Sequence, residues 1–533
     1  MRNSPVERPF MVPVVAALVL TASVLGASSP ADARFMMPMA HMPLTHGPLT
    51  GGGFARGRPA NGPNLHPRVW GRDGGRDVRI PRHHPRLAGH QIGIVTSDCG
   101  GARHRYARCG GTRLHGGVGT AGLPVSADLG AQVAQGQRGG GGGNNDPVPR
   151  GERRFVPDEV LTEFNAGVSP QAIAQVARRF NLTQLESQRF DLIGSTFYRW
   201  RIGGRRSVPV LVNALGNQSI VAAVQPNYLF ALEEQTAPAV AIAHGDPAQY
   251  VLGKLEVERA QQIATGKGVL LAVIDSAIDG NHPDLGGSIV KNFDALGGKA
   301  DPQLHGTEMA GAIAAHGKLL GIAAGVELLA ARAFDNTPGK ARGTSFDIFK
   351  SLQWAADNDA RVINMSFAGP ADPALHRMLT AAYEKDIVLI GAAGNDGPYA
   401  APAYPAADPN VIAVTAIDVD DKLFKMANRG RYVAVAAPGV EIVALAPDAS
   451  YQMTTGTSVA AAHVSGIAAL LLQRDPSLKP ADIRAILSAT AKPLGTSSQH
   501  GEFGAGLVDA YRAVMAPQIK AAGAGEAHEE AAR

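Results

Sequence analysis

Four polar residues stand where a chain could carry out nucleophilic chemistry. Asp275 follows the apolar run 270–274, His305 precedes Gly-Thr, Asn395 follows Ala-Gly, and Ser458 follows Gly-Thr. A serine hydroxyl can attack a carbonyl when an imidazole takes its proton and a carboxylate orients the imidazole, while an amide can stabilise the resulting oxyanion. These residue types could together catalyse acyl transfer.

Taken alone, each of these residues also has a structural explanation. A carboxylate at a strand end caps turns, a histidine can simply begin a helix, Asn-Asp-Gly is a common turn, and serine is a common helix N-cap. The surroundings of Ser458 favour chemistry, because residues 454–466 are almost entirely Gly, Ala, Ser and Thr. Small residues let backbone N–H groups approach a developing negative charge.

The elements that carry these residues alternate between strand and helix. Short apolar runs that do not alternate with polar residues predict strands buried on both faces, hence a parallel sheet enclosed by helices. The predicted strands are 269–274, 327–332, 362–365, 387–392 and 411–415, and helices are predicted at 308–315, 345–358 and 374–385. Asp275 then lies at the carboxyl edge of the sheet, where open α/β proteins place their sites.

A smaller unit precedes this sheet, at residues 155–232. Val160, Leu161 and Phe164 indicate a strand, and Ser169-Pro170 begins a helix with apolar residues at helical spacing. Strands at 183–190 and 196–202, a helix at 207–215 and a strand at 220–228 complete a βαββαβ order. This order is typical of a ferredoxin-like unit.

The net charge of +4 conceals an uneven distribution. Residues 34–150 contain 15 Arg, no Lys and 5 acidic residues, so the basic character belongs to this segment. Its Gly, Arg, His and Pro content predicts disorder. Cys99 and Cys109 lie there, and a local disulfide is favoured over a metal site that includes His104. A solvated leader is favoured over one that binds anionic lipid, polysaccharide or nucleic acid.

The N-terminus has the pattern of an export signal. Arg2 and Arg8 precede an apolar run at 11–25, and Ala31-Asp32-Ala33 fits a signal peptidase site. An uncleaved anchor is disfavoured, because the run is shorter than the roughly 20 residues that a membrane span needs. We therefore expect cleavage after Ala33 and an exported product, extracellular or periplasmic.

Taken together, the motifs resemble those of the subtilisin-like serine proteases, the subtilases, which show the same chain order Asp, His, Ser. The matching segments are 273–279 with His282-Pro283-Asp284-Leu285, 305–307 and 456–461, within a resemblance that runs from about 251 to 513. The chain departs from the family pattern at Ala277, Ala368, Ala462 and Glu308-Met309.

An esterase of the α/β-hydrolase type is disfavoured, because Gly-x-Ser-x-Gly and the order Ser, Asp, His are missing around Ser458. A non-enzymatic binding protein is disfavoured because all four positions are retained.

The resemblance implies an α/β fold: a subtilisin-like parallel sheet covered by helices, preceded by a small α+β ferredoxin-like propeptide domain and a disordered leader. The expected divisions are a signal peptide at 1–33, a disordered segment at 34–150, a propeptide at 151–235, a processing linker at 236–250, a catalytic domain at 251–515 and a disordered tail at 516–533.

The resemblance also implies roles for individual residues. Ser458 is the expected nucleophile, His305 the base, Asp275 the orienting carboxylate, and Asn395 an oxyanion donor. An extended substrate is expected to add a strand between residues 341–343 and 366–368, with its primary side chain near residues 392–394. The substrate-binding residues are expected to be Gly343, Ser366, Phe367, Ala368, Ala392, Ala393 and Gly394. A large uncharged side chain should fit this pocket best, and Asp396 at its rim could accept a basic one.

The expected partners are protein or peptide substrates and the chain's own propeptide, acting as an intramolecular inhibitor whose closing strand is Val224 to Tyr228. Self-cleavage is expected between Glu233 and Ala248. No nucleic-acid partner and no stable membrane span are expected in the mature form. No cofactor is expected to be required. Calcium often accompanies the family, but no metal ligands can be assigned from this sequence.

Overall fold

The computed structural model describes residues 148–232, 249–337, 341–496 and 500–516. The predicted signal peptide and nearly all of the leader, including both cysteines, lie outside the described residues. So do the connector at 233–248 and the tail from 517 onward.

The smaller unit has the βαββαβ order predicted from its apolar spacing. Its elements are β1 (Phe155–Phe164), α1 (Pro170–Phe180), β2 (Leu182–Phe190), β3 (Ser195–Ile202), α2 (Val208–Gly216) and β4 (Val221–Ala231). The Ser169 hydroxyl accepts a hydrogen bond from the Ala172 N–H and caps α1, as Ser-Pro at a helix start predicts. The strands pair antiparallel in the order β2-β3-β1-β4.

The larger unit alternates strands and helices. Its elements are α3 (Tyr250–Lys254), α4 (Val257–Gln261), β5 (Leu270–Asp275), β6 (Ile289–Asp294), α5 (Leu304–Ala314), β7 (Glu327–Arg332), β8 (Arg342–Thr344), α6 (Ser345–Asp357), β9 (Val362–Met365), α7 (Pro373–Glu384), β10 (Val388–Ala392), β11 (Val411–Ile417), β12 (Val433–Pro438), β13 (Ile442–Ala446), β14 (Ser450–Thr454), α8 (Thr457–Arg474), α9 (Pro480–Thr490), α10 (His500–Phe503) and α11 (Ala510–Met515).

Seven of these strands form a parallel sheet in the order β12-β11-β10-β9-β5-β7-β6. The central strands β5, β9 and β10 are almost wholly buried, which explains why their sequences do not alternate. One core cluster contains residues of α5 and α8, and a second contains residues of α6 and α7, so helices cover both faces. The predicted parallel α/β sheet is confirmed.

Two of the differences from the sequence prediction concern segments next to the site. Helix α5 begins at Leu304 rather than at residue 308, so His305 lies inside its first turn. Because the Gly-Thr pair after His305 has low helix propensity, the sequence pattern did not indicate that the helix begins at Leu304. Strand β4 continues to Ala231, three residues beyond the predicted end, because β8 of the larger unit supplies it with a partner.

Candidate active site

Asp275 and His305 form a buried hydrogen-bonded pair. Asp275 is the last residue of β5, and its backbone oxygen accepts a hydrogen bond from the Ala333 N–H at 2.9 Å, which fixes the strand end. His305 Nδ1 lies 2.8 Å from Asp275 Oδ1 and 3.0 Å from Oδ2. The carboxylate therefore favours the tautomer in which Nδ1 carries the proton.

Ser276, which the sequence analysis did not single out, joins these two elements. Its N–H donates to Asp275 Oδ1 at 2.7 Å, and its hydroxyl accepts from the Gly306 N–H at 3.0 Å. A Cβ on Gly306 would lie 2.4 Å from the Ser276 backbone oxygen. Glycine after His305 is thus required for the helix to approach the strand this closely.

Ser458 is the second residue of α8 and is 5% exposed. Its hydroxyl lies 3.3 Å from the Ser366 backbone oxygen, and its backbone oxygen accepts from the Ser366 hydroxyl at 2.9 Å. The helix start therefore packs directly against the residue that follows β9. The Ser458 N–H belongs to the first turn of α8, where helix N–H groups favour negative charge.

Two buried polar residues support Ser366 and were missed by the sequence analysis. Asn364 Nδ2 donates to the Ser366 hydroxyl at 2.9 Å, and the Ser465 hydroxyl donates to Asn364 Oδ1 at 2.9 Å. The available signal was Asn364 in the otherwise apolar strand β9, because a buried polar side chain needs a hydrogen-bond partner. This network links the strand, the helix and the loop that carries Ser366.

The side-chain oxygen of Asn395 accepts hydrogen bonds from Thr457, and the amide nitrogen faces the start of α8. Its Oδ1 accepts from the Thr457 N–H at 3.0 Å and from the Thr457 hydroxyl at 2.8 Å. Two donors on the oxygen identify the other atom as the Nδ2 donor. Nδ2 would lie 3.1 Å from a Cβ on Gly456, so a side chain at Gly456 would crowd this donor.

A segment of the chain itself lies between the two segments that were predicted to bind substrate, 341–343 and 366–368. Residues Leu229–Ala231 pair antiparallel with β8, where Phe230 is opposite Gly343. On the other side the Ala231 N–H donates to the Ala368 oxygen at 2.9 Å, and the Ala368 N–H donates back at 3.1 Å. The end of β4 is therefore a strand inserted between the two predicted walls.

The Phe230 side chain fills an apolar pocket beside this strand. Its ring packs edge-on against Phe367 with centroids 5.9 Å apart, and Phe367 in turn contacts Phe334. A Cβ on Gly369 would lie 2.2 Å from Phe230 Cδ1, so Gly369 makes room for the ring. The predicted primary pocket is separate from this one, and its residues Ala392, Ala393 and Gly394 are buried at the end of β10.

Side chains of β4 cap two helices of the larger unit. Asn227 Oδ1 accepts from the Phe346 N–H of α6 at 3.2 Å. Gln225 Oε1 accepts from the Ala374 N–H of α7 at 3.1 Å, and Gln225 Nε2 donates to Asp372 Oδ1 at 2.8 Å. Burial raises the pKa of the Asp372 carboxyl, and hydrogen bonds from neighbouring donors oppose that rise.

An aromatic cluster completes the contact between the two units. Phe190 of β2 meets Phe346 and Phe349 of α6 edge-on, with ring centroids 5.8 Å and 6.0 Å apart. Phe197 of β3 lies 5.8 Å from Phe349. The smaller unit therefore buries one face of its sheet against α6.

Two kinds of feature, a membrane-spanning helix and a metal-binding cluster, are absent from the described residues. No helix in the described ranges is long and apolar enough to cross a membrane. Within these ranges no group of three or more His, Cys, Asp or Glu side chains is arranged to hold a metal ion.

Comparison with known proteins finds similarity to subtilases. Residues 266–506 match the model of the subtilase family. The chain is 32% identical to a thermophilic serine proteinase of Bacillus sp. (strain AK1) over 369 residues, which cover 68% of this chain and 88% of the relative. Thermitase from Thermoactinomyces vulgaris is 35% identical over 50% of this chain and 96% of its own length.

A solved structure supports the fold. The crystal structure of fervidolysin from Fervidobacterium pennivorans, a keratinolytic enzyme related to subtilisin, matches with a TM-score of 0.59 and 24% identity. The match covers 70% of this chain and 63% of fervidolysin. The parallel sheet and its helices thus have the subtilisin-like arrangement that the sequence analysis expected. The chain belongs to the subtilase family and is a subtilisin-like serine endopeptidase.

Proposed function

We propose that Asp275, His305 and Ser458 form the catalytic triad of this endopeptidase. The Ser458 hydroxyl attacks the peptide carbonyl carbon while His305 Nε2 takes its proton. Asp275 accepts the Nδ1–H bond and stabilises the imidazolium that forms. His305 then donates the proton to the leaving amine, and water releases the acyl group by the same steps. The buried His305–Asp275 pair, with both carboxylate oxygens within 3.0 Å of Nδ1, carries this proposal.

Asn395 and the Ser458 backbone N–H are the proposed oxyanion donors. Asn395 is already oriented by Thr457, so its amide would need no reorganisation as negative charge develops. Donors held in this way stabilise the transition state by about 3 kcal/mol each in a comparable protease site. Its position beside Gly456 supports a role at the carbonyl that Ser458 attacks.

The test is Ser458→Ala in the full-length chain, assayed with a fluorogenic peptide. We expect kcat to fall by a factor on the order of 10⁶, as for loss of a triad serine elsewhere. Ser477→Ala, an exposed serine outside the site, serves as the control and should retain full activity. Hydrolysis by Ser458→Ala at the rate of the control would refute the proposed nucleophile.

The inserted strand provides a guide to substrate binding. A peptide substrate would take the place of residues 229–232 and add a strand between 341–343 and 366–368. Its primary side chain would enter the pocket at 392–394, whose small apolar walls favour a large uncharged residue, with Asp396 at the rim able to accept a basic one. A peptide-library cleavage profile tests this order of preference, and a preference for acidic residues next to the cleaved bond would contradict it.

The chain is proposed to be made as an exported, self-cleaving zymogen. The end of β4 occupies the cleft, so bound substrate and the propeptide would exclude each other. Cleavage is proposed between Glu233 and Ala248, a segment outside the described residues. Purified Ser458→Ala should remain unprocessed, and processing of that variant would contradict self-cleavage. N-terminal sequencing of the active product, recovered from periplasm or medium, tests the proposed export and removal of residues 1–33.

A further inference from the structure

Glu308 is a buried carboxylate one helical turn beyond His305. Its side chain lies on α5 and is 2% exposed. Glu308 Oε1 accepts from Gln452 Nε2 at 2.9 Å, and Oε2 accepts from the Thr454 hydroxyl at 3.1 Å. Both oxygens are therefore directed at one strand, β14.

That strand leads directly to the nucleophile. Strand β14 ends at Thr454, and Ser458 follows four residues later in the first turn of α8. The connection is short, with three residues between Thr454 and Ser458, and its Gly456 N–H donates to the Gly439 oxygen at 2.8 Å. Helix α5 also contacts the partner strand β13, where a Cβ on Gly311 would lie 2.4 Å from Leu445 Cγ.

We propose that Glu308 is a positioning residue that sets the separation between the His305 imidazole and the Ser458 hydroxyl. It does so by joining helix α5, which carries His305, to strand β14, which precedes Ser458. A buried carboxylate requires hydrogen bonds that offset its loss of hydration, and the two bonds described above go to β14. Proton transfer is sensitive to the gap, since an error of about 1 Å can cost on the order of 100-fold in rate. This inference rests on the proposed triad.

The experiment compares four variants of the full-length chain after processing, with active sites counted by a fluorophosphonate. Glu308→Ala removes both acceptors, and Thr454→Val removes one donor without changing shape. Glu308→Gln keeps one acceptor for Gln452 and can donate to the Thr454 hydroxyl. Tyr451→Phe is the matched control, because Tyr451 lies on β14 but donates to Asp284 rather than to α5.

We expect kcat to fall about 100-fold in Glu308→Ala and about fivefold in Thr454→Val, with KM nearly unchanged, because geometry rather than binding is altered. Glu308→Gln should stay within about threefold of wild type, and Tyr451→Phe within about twofold. If Glu308→Ala does not fold, Thr454→Val against Tyr451→Phe decides.

Equal kcat in Thr454→Val and Tyr451→Phe, even with equal losses of melting temperature, would overturn the positioning role and leave Glu308 as a structural residue. A loss of kcat in Glu308→Gln as large as in Glu308→Ala would also overturn it, since charge rather than spacing would then matter. Failure of the triad itself is distinguished by Ser458→Ala, which would then retain activity.

Discussion

The two units of this chain bury their sheets in different ways. The larger unit encloses its parallel sheet between helices of its own, α5 and α8 on one side and α6 and α7 on the other. The smaller unit covers one face of its antiparallel sheet with α1 and α2. Its other face contributes Phe190 and Phe197 to a core cluster that otherwise belongs mainly to the larger unit.

The two units therefore share part of their cores. The smaller unit has a cluster of its own with α1 and α2, and a second cluster that it shares with α6 and α7 of the larger unit. Small domains bury a low fraction of their surface and are marginally stable without such help. We infer that the smaller unit depends on these contacts with the larger unit for part of its stability.

The largest effect expected outside the proposed triad separates the chemistry of the site from the packing of the two units. Asn395→Ala should lower kcat by about 10²- to 10³-fold, because one oxyanion donor is removed. Contacts between the two units should not change, because Asn395 bonds only within the larger unit in the contacts described. Steady-state kinetics with a peptide substrate measures the loss. A decrease of less than about threefold would argue against an oxyanion role.

Phe190→Ala tests most directly whether the smaller and larger units share a core. Removing a ring that contacts Phe346 and Phe349 should destabilise the smaller unit by about 3 to 5 kcal/mol, because a cavity opens in the shared cluster. Hydrogen exchange in the unprocessed Ser458→Ala chain should lose protection in β2 and also in α6.

The matched control is Phe180→Ala, which removes a ring from the smaller unit's own core. It should reduce protection in β1 to β4 while α6 stays protected. Equal effects of the two variants on α6 would contradict the shared-core interpretation.

Gln225→Leu tests the helix caps. The Ala374 N–H would lose its acceptor and Asp372 one of its donors, so we expect a cost of about 1 to 3 kcal/mol in the contact between the units. The effect should appear as faster hydrogen exchange at the start of α7. Gln184→Leu is the control, because Gln184 is exposed and bonds only to Ser187 within its own unit. Exchange as slow as in the control would show that the cap contributes nothing.

The smallest expected effect concerns pH. The Asp408 carboxylate, 2.6 Å from His376 Nδ1, raises the pKa of His376. Stability from this pair is therefore present below the unfolded-state pKa of about 6.5 and is lost as pH rises through the higher folded-state pKa.

Because the His376 side chain is 48% exposed, solvent screening keeps the contribution below about 1 kcal/mol. His376→Gln should lower the melting temperature near pH 5.5 and leave it unchanged above the folded-state pKa. A difference that grows with rising pH would contradict the assignment.

The sequence alone predicted the βαββαβ order of the smaller unit, five of the seven strands of the parallel sheet and the residues of the proposed site. Apolar runs without alternation indicated the buried parallel strands, and Ser169-Pro170 indicated the start of α1, because these signals act over a few neighbouring residues. Asp275, His305, Asn395 and Ser458 were identified by their residue types, the order of the triad residues in the chain and the resemblance of their motifs to those of the subtilases. The glycine after His305 is needed locally, because a Cβ on Gly306 would lie 2.4 Å from the Ser276 backbone oxygen.

Only the tertiary structure decided which distant residues meet. The end of β4 pairs with β8, which lies more than 100 residues later in the chain, and neither segment has a pattern that predicts its partner. Glu308 joins β14 across 144 residues in the same way, although the sequence marks it only as a departure from the family pattern and does not indicate its partner. Such pairings depend on how the sheet is folded, and no local periodicity encodes a contact between residues so far apart.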